Sequence, residues 1–167
     1  WTPDDTLWAI ATAAMLVASV LFVGSLFGNP AFPNPRAAEQ KIRAAGGVFA
    51  ITRHPMMWGF ALWALVHVAV LPTDANAVLS GAILVLALVG AWFQDRKKAR
   101  LQPTVWPQWR ARTSYFPFAA QLSGKAPWSL GGARALLGGA ALWLVATKLH
   151  IVLGGAMEAG IWRWVAI

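Results

Sequence analysis

Three histidines and one arginine are the side chains of this sequence best suited to hold a cofactor or an anionic ligand. Arg53, His54 and Pro55 open a hydrophobic stretch, and His67 lies thirteen residues after His54 within it. If the stretch is one α-helix, a rise of about 1.5 Å per residue separates the two histidines by about 20 Å. They cannot ligate one metal ion together, and we expect them to serve two sites.

His67 is the best candidate for a metal ligand. An ionisable side chain deep in a membrane helix is costly, and a neutral imidazole there needs a hydrogen-bond partner or a metal. Haem iron is a natural candidate, because imidazole is a standard axial ligand and a porphyrin fits between apolar helices. His150 is expected at a comparable depth and is the candidate second ligand. The alternatives are a packing histidine at position 67 and an interfacial histidine at a helix end at position 150.

Arg53 and His54 are expected at the cytoplasmic surface of the protein. Together they suit an anionic group such as a propionate, a phosphate or a carboxylate. The alternative is that Arg53 only anchors the helix at the membrane surface and that His54 is an interfacial capping residue.

The elements that must position these residues are membrane helices. The chain has 167 residues, of which 58% are hydrophobic and 12% charged, against about 25% charged in soluble domains. Its eleven tryptophans suit two membrane–water interfaces. The absence of cysteine excludes disulfides and thiolate metal ligands. The net charge of +8 indicates cytoplasmic loops that face anionic lipid, and nucleic acid is not an expected partner.

An α-helix needs about 20 apolar residues to cross a bilayer. Four segments of this sequence are apolar over nearly that length. They run from about 7–27, 55–71, 77–93 and 134–153. The basic residues concentrate in the loops between the first and second and between the third and fourth segments, whereas the turn 72–76 has none. The positive-inside rule therefore places both basic loops in the cytoplasm and both termini outside. We predict an all-α, multi-pass membrane helix bundle with about four spans.

Two loop segments are expected to lie at the cytoplasmic membrane interface. Residues 36–51 are predicted to form a short interfacial helix. Residues 101–121 carry Trp106, Trp109 and further aromatic residues beside arginines, a mixture typical of an aromatic belt.

The order of several motifs resembles the NnrU family of bacterial membrane proteins. The resemblance is carried by Arg53-His54-Pro55, Trp58-Gly59, Trp63, His67, Gly90, Asp95-Arg96-Lys97, Trp109 and Thr113-Ser114-Tyr115-Phe116-Pro117-Phe118. It extends from about residue 8 to about residue 155. It implies that residues 1–167 form a single transmembrane domain in a bacterial inner membrane. NnrU proteins are associated with denitrification, through nitrite and nitric oxide reduction.

The NnrU family is similar to the plant and cyanobacterial cis-zeta-carotene isomerases, which are membrane proteins with haem b. In those isomerases a histidine at the place of His67 is a haem ligand, and a second ligand comes from an N-terminal helix. This chain begins too late to contain such a helix, so the resemblance leaves His150 as the candidate second ligand. Arg53 and His54 are then expected to position a propionate or a substrate headgroup.

Three functions remain open on the sequence. The first is a haem b-binding protein that isomerises a polyene or takes part in nitric-oxide-linked redox chemistry, with membrane lipids or another apolar small molecule as partners. The second is an S-adenosylmethionine-dependent membrane methyltransferase. Isoprenylcysteine and phospholipid methyltransferases share the Arg-His-Pro opening, but this chain has Gln94-Asp95 where they have a Glu-Glu pair. The third is a structural subunit of a membrane complex, so the sequence leaves open whether the protein is an enzyme.

Overall fold

The structure, a computed structural model, describes residues 1–33, 44–155 and 157–165. In these residues the protein is all-helical, as predicted, with no strand. The described α-helices are α1 (Asp5–Ser25), α2 (Val48–Ile51), α3 (Pro55–Val70), α4 (Asp74–Leu101), α5 (Val105–Arg112), α6 (Ala119–Leu122) and α7 (Ala133–Lys148). A 3-10 helix follows at Gly160–Arg163.

Helices α1, α3, α4 and α7 occupy the four apolar segments predicted from the sequence. Among the described residues, α1 with 21 residues and α4 with 28 are the helices long and apolar enough to cross a membrane. Helices α3 and α7 have 16 residues each, which is about 24 Å at 1.5 Å per residue, against about 30 Å of hydrocarbon. The four-span topology and the outside position of both termini therefore stay predictions.

Helix α1 lies at the centre of an antiparallel bundle. It packs against α3 on one side and α7 on the other, and α4 packs against α3. The early residue Trp8 of α1 clusters with Val70 at the end of α3, and Phe22 near the end of α1 contacts Phe60 near the start of α3. The carboxyl ends of α1 and α4 therefore meet the amino ends of α3 and α7. We call this the basic end and the opposite one the far end.

Glycines allow α1 to approach both neighbours closely. A Cβ atom added to Gly59 of α3 would lie 2.9 Å from the backbone oxygen of Ala18. One added to Gly139 of α7 would lie 2.5 Å from the Cα atom of Val20. Small residues at helix contacts permit the backbone proximity on which packing between membrane helices depends.

The short helices α2 and α5 cover the basic end of the bundle. Trp106 and Trp109 of α5 are buried in its main apolar cluster, and Trp109 contacts Phe49 of α2 edge to face. The expectation that both tryptophans belong to an interfacial belt is wrong, because each buries a large apolar surface inside the protein. Of the predicted interfacial helix 36–51, residues 36–43 lie outside the described residues and 48–51 form α2.

Candidate functional site

A largely apolar cavity of about 670 Å³ lies between α1, α3 and α7 towards the far end of the bundle. His67 of α3 and His150, which follows α7, both line it, and their ring centroids are 6.3 Å apart. The apolar part of its wall includes Trp8, Met15, Phe22, Phe60, Val66 and Leu142. Pockets of this size with few polar groups are typical of sites for apolar ligands and cofactors.

The ring of His67 is held by the helix that carries it. Its Nδ1 atom lies 2.8 Å from the backbone oxygen of Trp63, one helical turn earlier. The imidazole also stacks on the Trp63 indole, with ring centroids 3.9 Å apart and planes inclined by 26°. Because a carbonyl oxygen can only accept, Nδ1 carries the proton and Nε2 keeps its lone pair.

His150 is held in the same way by the chain that follows α7. Its Nδ1 atom lies 2.9 Å from the backbone oxygen of Met157, and the N–H of Gly155 donates to the His150 carbonyl at 2.7 Å. A Cβ at position 155 would overlap the imidazole, so a side chain there would displace the His150 ring. Helix α7 ends at Lys148, earlier than the predicted span, and His150 lies in the turn beyond it.

The two histidines form a donor set that fits haem. Metal-bound histidines commonly donate their second ring N–H to a backbone carbonyl, as His67 and His150 both do. Their ring centroids are 6.3 Å apart in the same apolar cavity, so the two residues would together hold one haem. The described residues contain no group of three or more His, Asp or Glu side chains that could hold a bare metal ion, whereas a porphyrin supplies four ligands of its own.

One hydroxyl in this cavity has no partner within the protein. Thr12 of α1 lines the cavity, and its buried Oγ1 atom makes no hydrogen bond to any described residue. Buried polar groups are nearly always hydrogen-bonded. The indole N–H groups of Trp106, Trp109 and Trp143 are unpaired in the same way outside this cavity, so the Thr12 hydroxyl does not by itself indicate a ligand.

A second polar group lies at the basic end, where α4 meets the start of α3. Arg53 donates through Nε to Asp95 Oδ2 at 2.7 Å and forms an ion pair with it through Nη2, and His54 Nε2 lies 2.9 Å from Asp95 Oδ1. All three side chains are less than 10% exposed. We call them the Arg53–Asp95 cluster. Burial of a charge is costly without a partner, so the cluster fixes α4 against α3.

The segment 113–118 closes over this cluster. The Arg53 N–H donates to the Ser114 carbonyl, while the Thr52 hydroxyl and the Trp58 indole donate to the Tyr115 carbonyl at 2.7 and 2.9 Å. The Tyr115 hydroxyl donates to the Leu88 carbonyl of α4. Burial raises the pKa of that hydroxyl above its usual value, and the nearby Asp95 carboxylate adds to the rise.

The sequence profile described as "NnrU protein" matches residues 1–157 of this chain. The chain belongs to the NnrU family. The resemblance seen in the sequence motifs is thereby confirmed over almost the whole chain.

Two curated relatives match part of this chain, and both have the same name. The NnrU chain is 35% identical over 79 residues to "15-cis-zeta-carotene isomerase, chloroplastic" of Arabidopsis thaliana, and 33% identical over 79 residues to the protein of that name from Zea mays. Each match covers 47% of the chain and 22% of the relative, so the chain spans far less than the length of these relatives. No solved structure matches this NnrU chain.

The structure of this NnrU protein separates the predicted site residues into two groups. His67 and His150 lie together, whereas Arg53 and His54 lie in the other group, at the basic end. The expectation that Arg53 and His54 are exposed at the surface is wrong, because their side chains are 9% and 1% exposed against Asp95. Their position at the cytoplasmic side of a membrane stays a prediction. Roles of the four residues in haem or propionate binding stay predictions.

Three residues of these two sites were not selected as site candidates from the sequence. Asp95 entered only the family motif and the methyltransferase alternative, although a carboxylate at the end of an apolar helix already indicates a paired charge. Trp63 appeared only within the family motif, and its i to i+4 spacing to His67 predicts contact on one helix face. Thr12 gave no signal, since a single threonine in an apolar helix is common.

Proposed function

We propose that this protein is a membrane-embedded, haem b-binding isomerase of a carotenoid-like polyene. The observation that carries the proposal is the pair of histidines in one apolar cavity, each with Nδ1 bonded to a backbone carbonyl and Nε2 left for a metal. The name shared by the two curated relatives supports the substrate class. A polyene is apolar throughout, and the wall of the cavity suits such a ligand.

The chain's own residues have three roles in this proposal. His67 and His150 hold the haem, and Trp63 keeps the His67 ring in one orientation by stacking and by its carbonyl. Haem, when bound, would supply a redox-active iron whose coordination can change with its oxidation state. The apolar side chains of α1, α3 and α7 exclude water and align the polyene, whose cis–trans isomerisation leaves its atoms and electrons unchanged.

Membrane insertion is part of the same proposal. Helices α1 and α4 are long and apolar enough to cross a bilayer. The basic loops assign the basic end to the cytoplasm. The cavity and both candidate ligands then lie in the outer half of a bacterial inner membrane, where an apolar substrate enters from lipid.

The first experiment is an absorption spectrum of the detergent-purified protein from haem-replete cells, oxidised and then reduced with dithionite. We expect a Soret band and reduced α and β bands that disappear in His67→Ala and His150→Ala. His54→Gln is the matched control, because it removes the third imidazole of the chain from a site that the cavity does not include. Its spectrum should equal that of the wild type.

Colourless wild-type protein would refute haem binding, and a Soret band unchanged in both alanine variants would refute the ligand assignment. Activity is tested with 15-cis-zeta-carotene in detergent or liposomes and separation of the isomers. The loaded protein should convert the 15-cis form, and the His67→Ala protein should not. A coloured but inactive protein would favour the nitric-oxide-linked redox role instead, which binding of nitric oxide to the reduced protein would test.

The methyltransferase alternative depends on Arg53, His54 and Asp95 as ligands of S-adenosylmethionine. These side chains do converge, but they bind one another and are buried. A ligand would have to replace a complete set of internal bonds, which makes the alternative the weaker one. Binding of S-adenosylmethionine by calorimetry, with no haem bands, would reverse this order. Absence of both activities with recovery in a complex would favour a structural subunit.

A further inference from the structure

A second cavity, of about 740 Å³, lies at the basic end beside the Arg53–Asp95 cluster. Its wall comes from the last turns of α4, from Arg110 of α5, and from Tyr115 and Phe116. One part of the wall is basic, with Arg96 and Arg110 beside Arg53. Another part is apolar, with Leu88, Val89, Trp92 and Phe116. The two parts together are complementary to a molecule with an anionic head and an apolar tail.

The positive charge of this cavity is not neutralised by its own carboxylate. Asp95 also lines the cavity, but Arg53 and His54 bind both of its oxygens. Arg53 and Asp95 therefore cancel, and the two positive charges of Arg96 and Arg110 remain. The Arg96 guanidinium carbon lies 3.6 Å from the centroid of the Trp92 ring, a contact that holds one of these charges against the apolar wall.

The apolar wall of this cavity is exposed, so we expect another molecule to cover it. Val89, Trp92 and Phe116 are 43%, 44% and 65% exposed, and they line the cavity together with Arg96 and Arg110. The position of the cavity along α4 indicates which environment surrounds this wall. The helix is uncharged from residue 75 to Gln94 and then continues as Asp95-Arg96-Lys97-Lys98, so the cavity lies at the level where hydrocarbon gives way to headgroups.

We propose that this cavity binds an anionic phospholipid of the surrounding membrane. Arg96 and Arg110 bind the phosphate group, because guanidinium groups match phosphate oxygens in charge and geometry. One acyl chain lies along Leu88, Val89 and Trp92. The proposal rests on the membrane placement given above and not on haem, so a colourless protein that retains the lipid would leave it intact.

The test is native mass spectrometry of the full chain in detergent, with added phosphatidylglycerol or phosphatidylcholine. The wild type should retain one phosphatidylglycerol in preference to phosphatidylcholine. The double variant Arg96→Gln/Arg110→Gln should bind it roughly 25-fold more weakly, since each basic residue contributes about a fivefold factor near an anionic surface. The matched control is Lys97→Gln/Arg100→Gln, which removes the same charge from exposed sites outside the cavity. Its affinity should change less than twofold.

Three results would overturn the proposal. One is equal retention of both lipids by the wild type. Another is equal loss of affinity in the two double variants, which would reduce the effect to net charge. The third is displacement of the lipid by millimolar inorganic phosphate, which would assign the arginines to a free anion. Helix content by circular dichroism, which should match the wild type, shows that both variants are folded.

Discussion

Arg53, His54 and Asp95 form a buried charged cluster, and their burial makes each depend on the others. The guanidinium of Arg53 has Asp95 as its ion-pair partner, and the His54 imidazole bonds the same carboxylate. Removal of one partner from a buried ion pair leaves an uncompensated charge, which typically costs about 3–5 kcal/mol. A substitution in this cluster is therefore expected to change the stability of the protein, independently of the function of the far end.

We predict that Asp95→Asn lowers the free energy of unfolding by about 3 kcal/mol, because Arg53 stays buried without a counter-charge. Chemical unfolding in detergent, followed by circular dichroism, measures the change. The control Asp74→Asn alters an exposed carboxylate in the first turn of the same helix and should cost about 0.3–1 kcal/mol. Equal losses in the two variants would contradict the role given to the cluster. Arg53→Met combined with Asp95→Leu should recover much of the loss.

At the scale of elements, the central contacts are those that α1 makes with α3 and α7. They depend on glycines whose missing side chains let two backbones touch, at Gly59 and at Gly139. The same contacts set the width of the apolar cavity, since α1, α3 and α7 form its walls. A change that separates α1 from α7 should therefore alter both stability and the distance between the candidate ligands.

We predict that Gly139→Ala destabilises the protein by about 1–3 kcal/mol, because its Cβ would meet the backbone of Val20 and force the helices apart. Gly90→Ala is the matched control within α4. Nothing lies within 4 Å of a Cβ at that position, so the higher helix propensity of alanine should raise stability by up to about 1 kcal/mol. Thermal unfolding in detergent reports both changes. A Gly139→Ala protein as stable as Gly90→Ala would show that the α1–α7 contact is looser than described.

At the scale of the whole molecule, the antiparallel bundle places one basic end opposite a far end with the candidate haem site. The carboxyl ends of α1 and α4 and the amino ends of α3 and α7 meet at the basic end, as alternating membrane spans would require. The short helices α3 and α7 cross a full bilayer only if flanking residues or local thinning make up the difference.

We predict that the basic end faces the cytoplasm. The natural absence of cysteine allows single accessible cysteines to be placed without a background. In spheroplasts, a membrane-impermeant maleimide should label Pro72→Cys, in the turn between α3 and α4, and should label Lys125→Cys only after permeabilisation. The reverse pattern would invert the orientation. Labelling of both sites in intact spheroplasts would contradict the four-span topology.

The sequence by itself determined the helices, because long apolar segments separated by basic loops and prolines permit few alternatives to α-helix. It also determined the NnrU membership, since that depends on local motifs that need no folding to be recognised. The choice of His67 as a candidate ligand was made from the same motifs and stays a prediction. The matching depth of His67 and His150 followed from counting residues along two helices, because each step adds a fixed rise.

Only the tertiary structure decided which side chains meet. The pairing of Arg53 and His54 with Asp95 joins residues about forty positions apart, and no local spacing predicts it. The side chains of Trp106 and Trp109 are buried, because α5 covers the basic end of the bundle with apolar groups. The proton positions on His67 and His150 depend on carbonyls that only the folded chain brings near them. Residue types are local, whereas partners, burial and hydrogen bonds are properties of the packed whole.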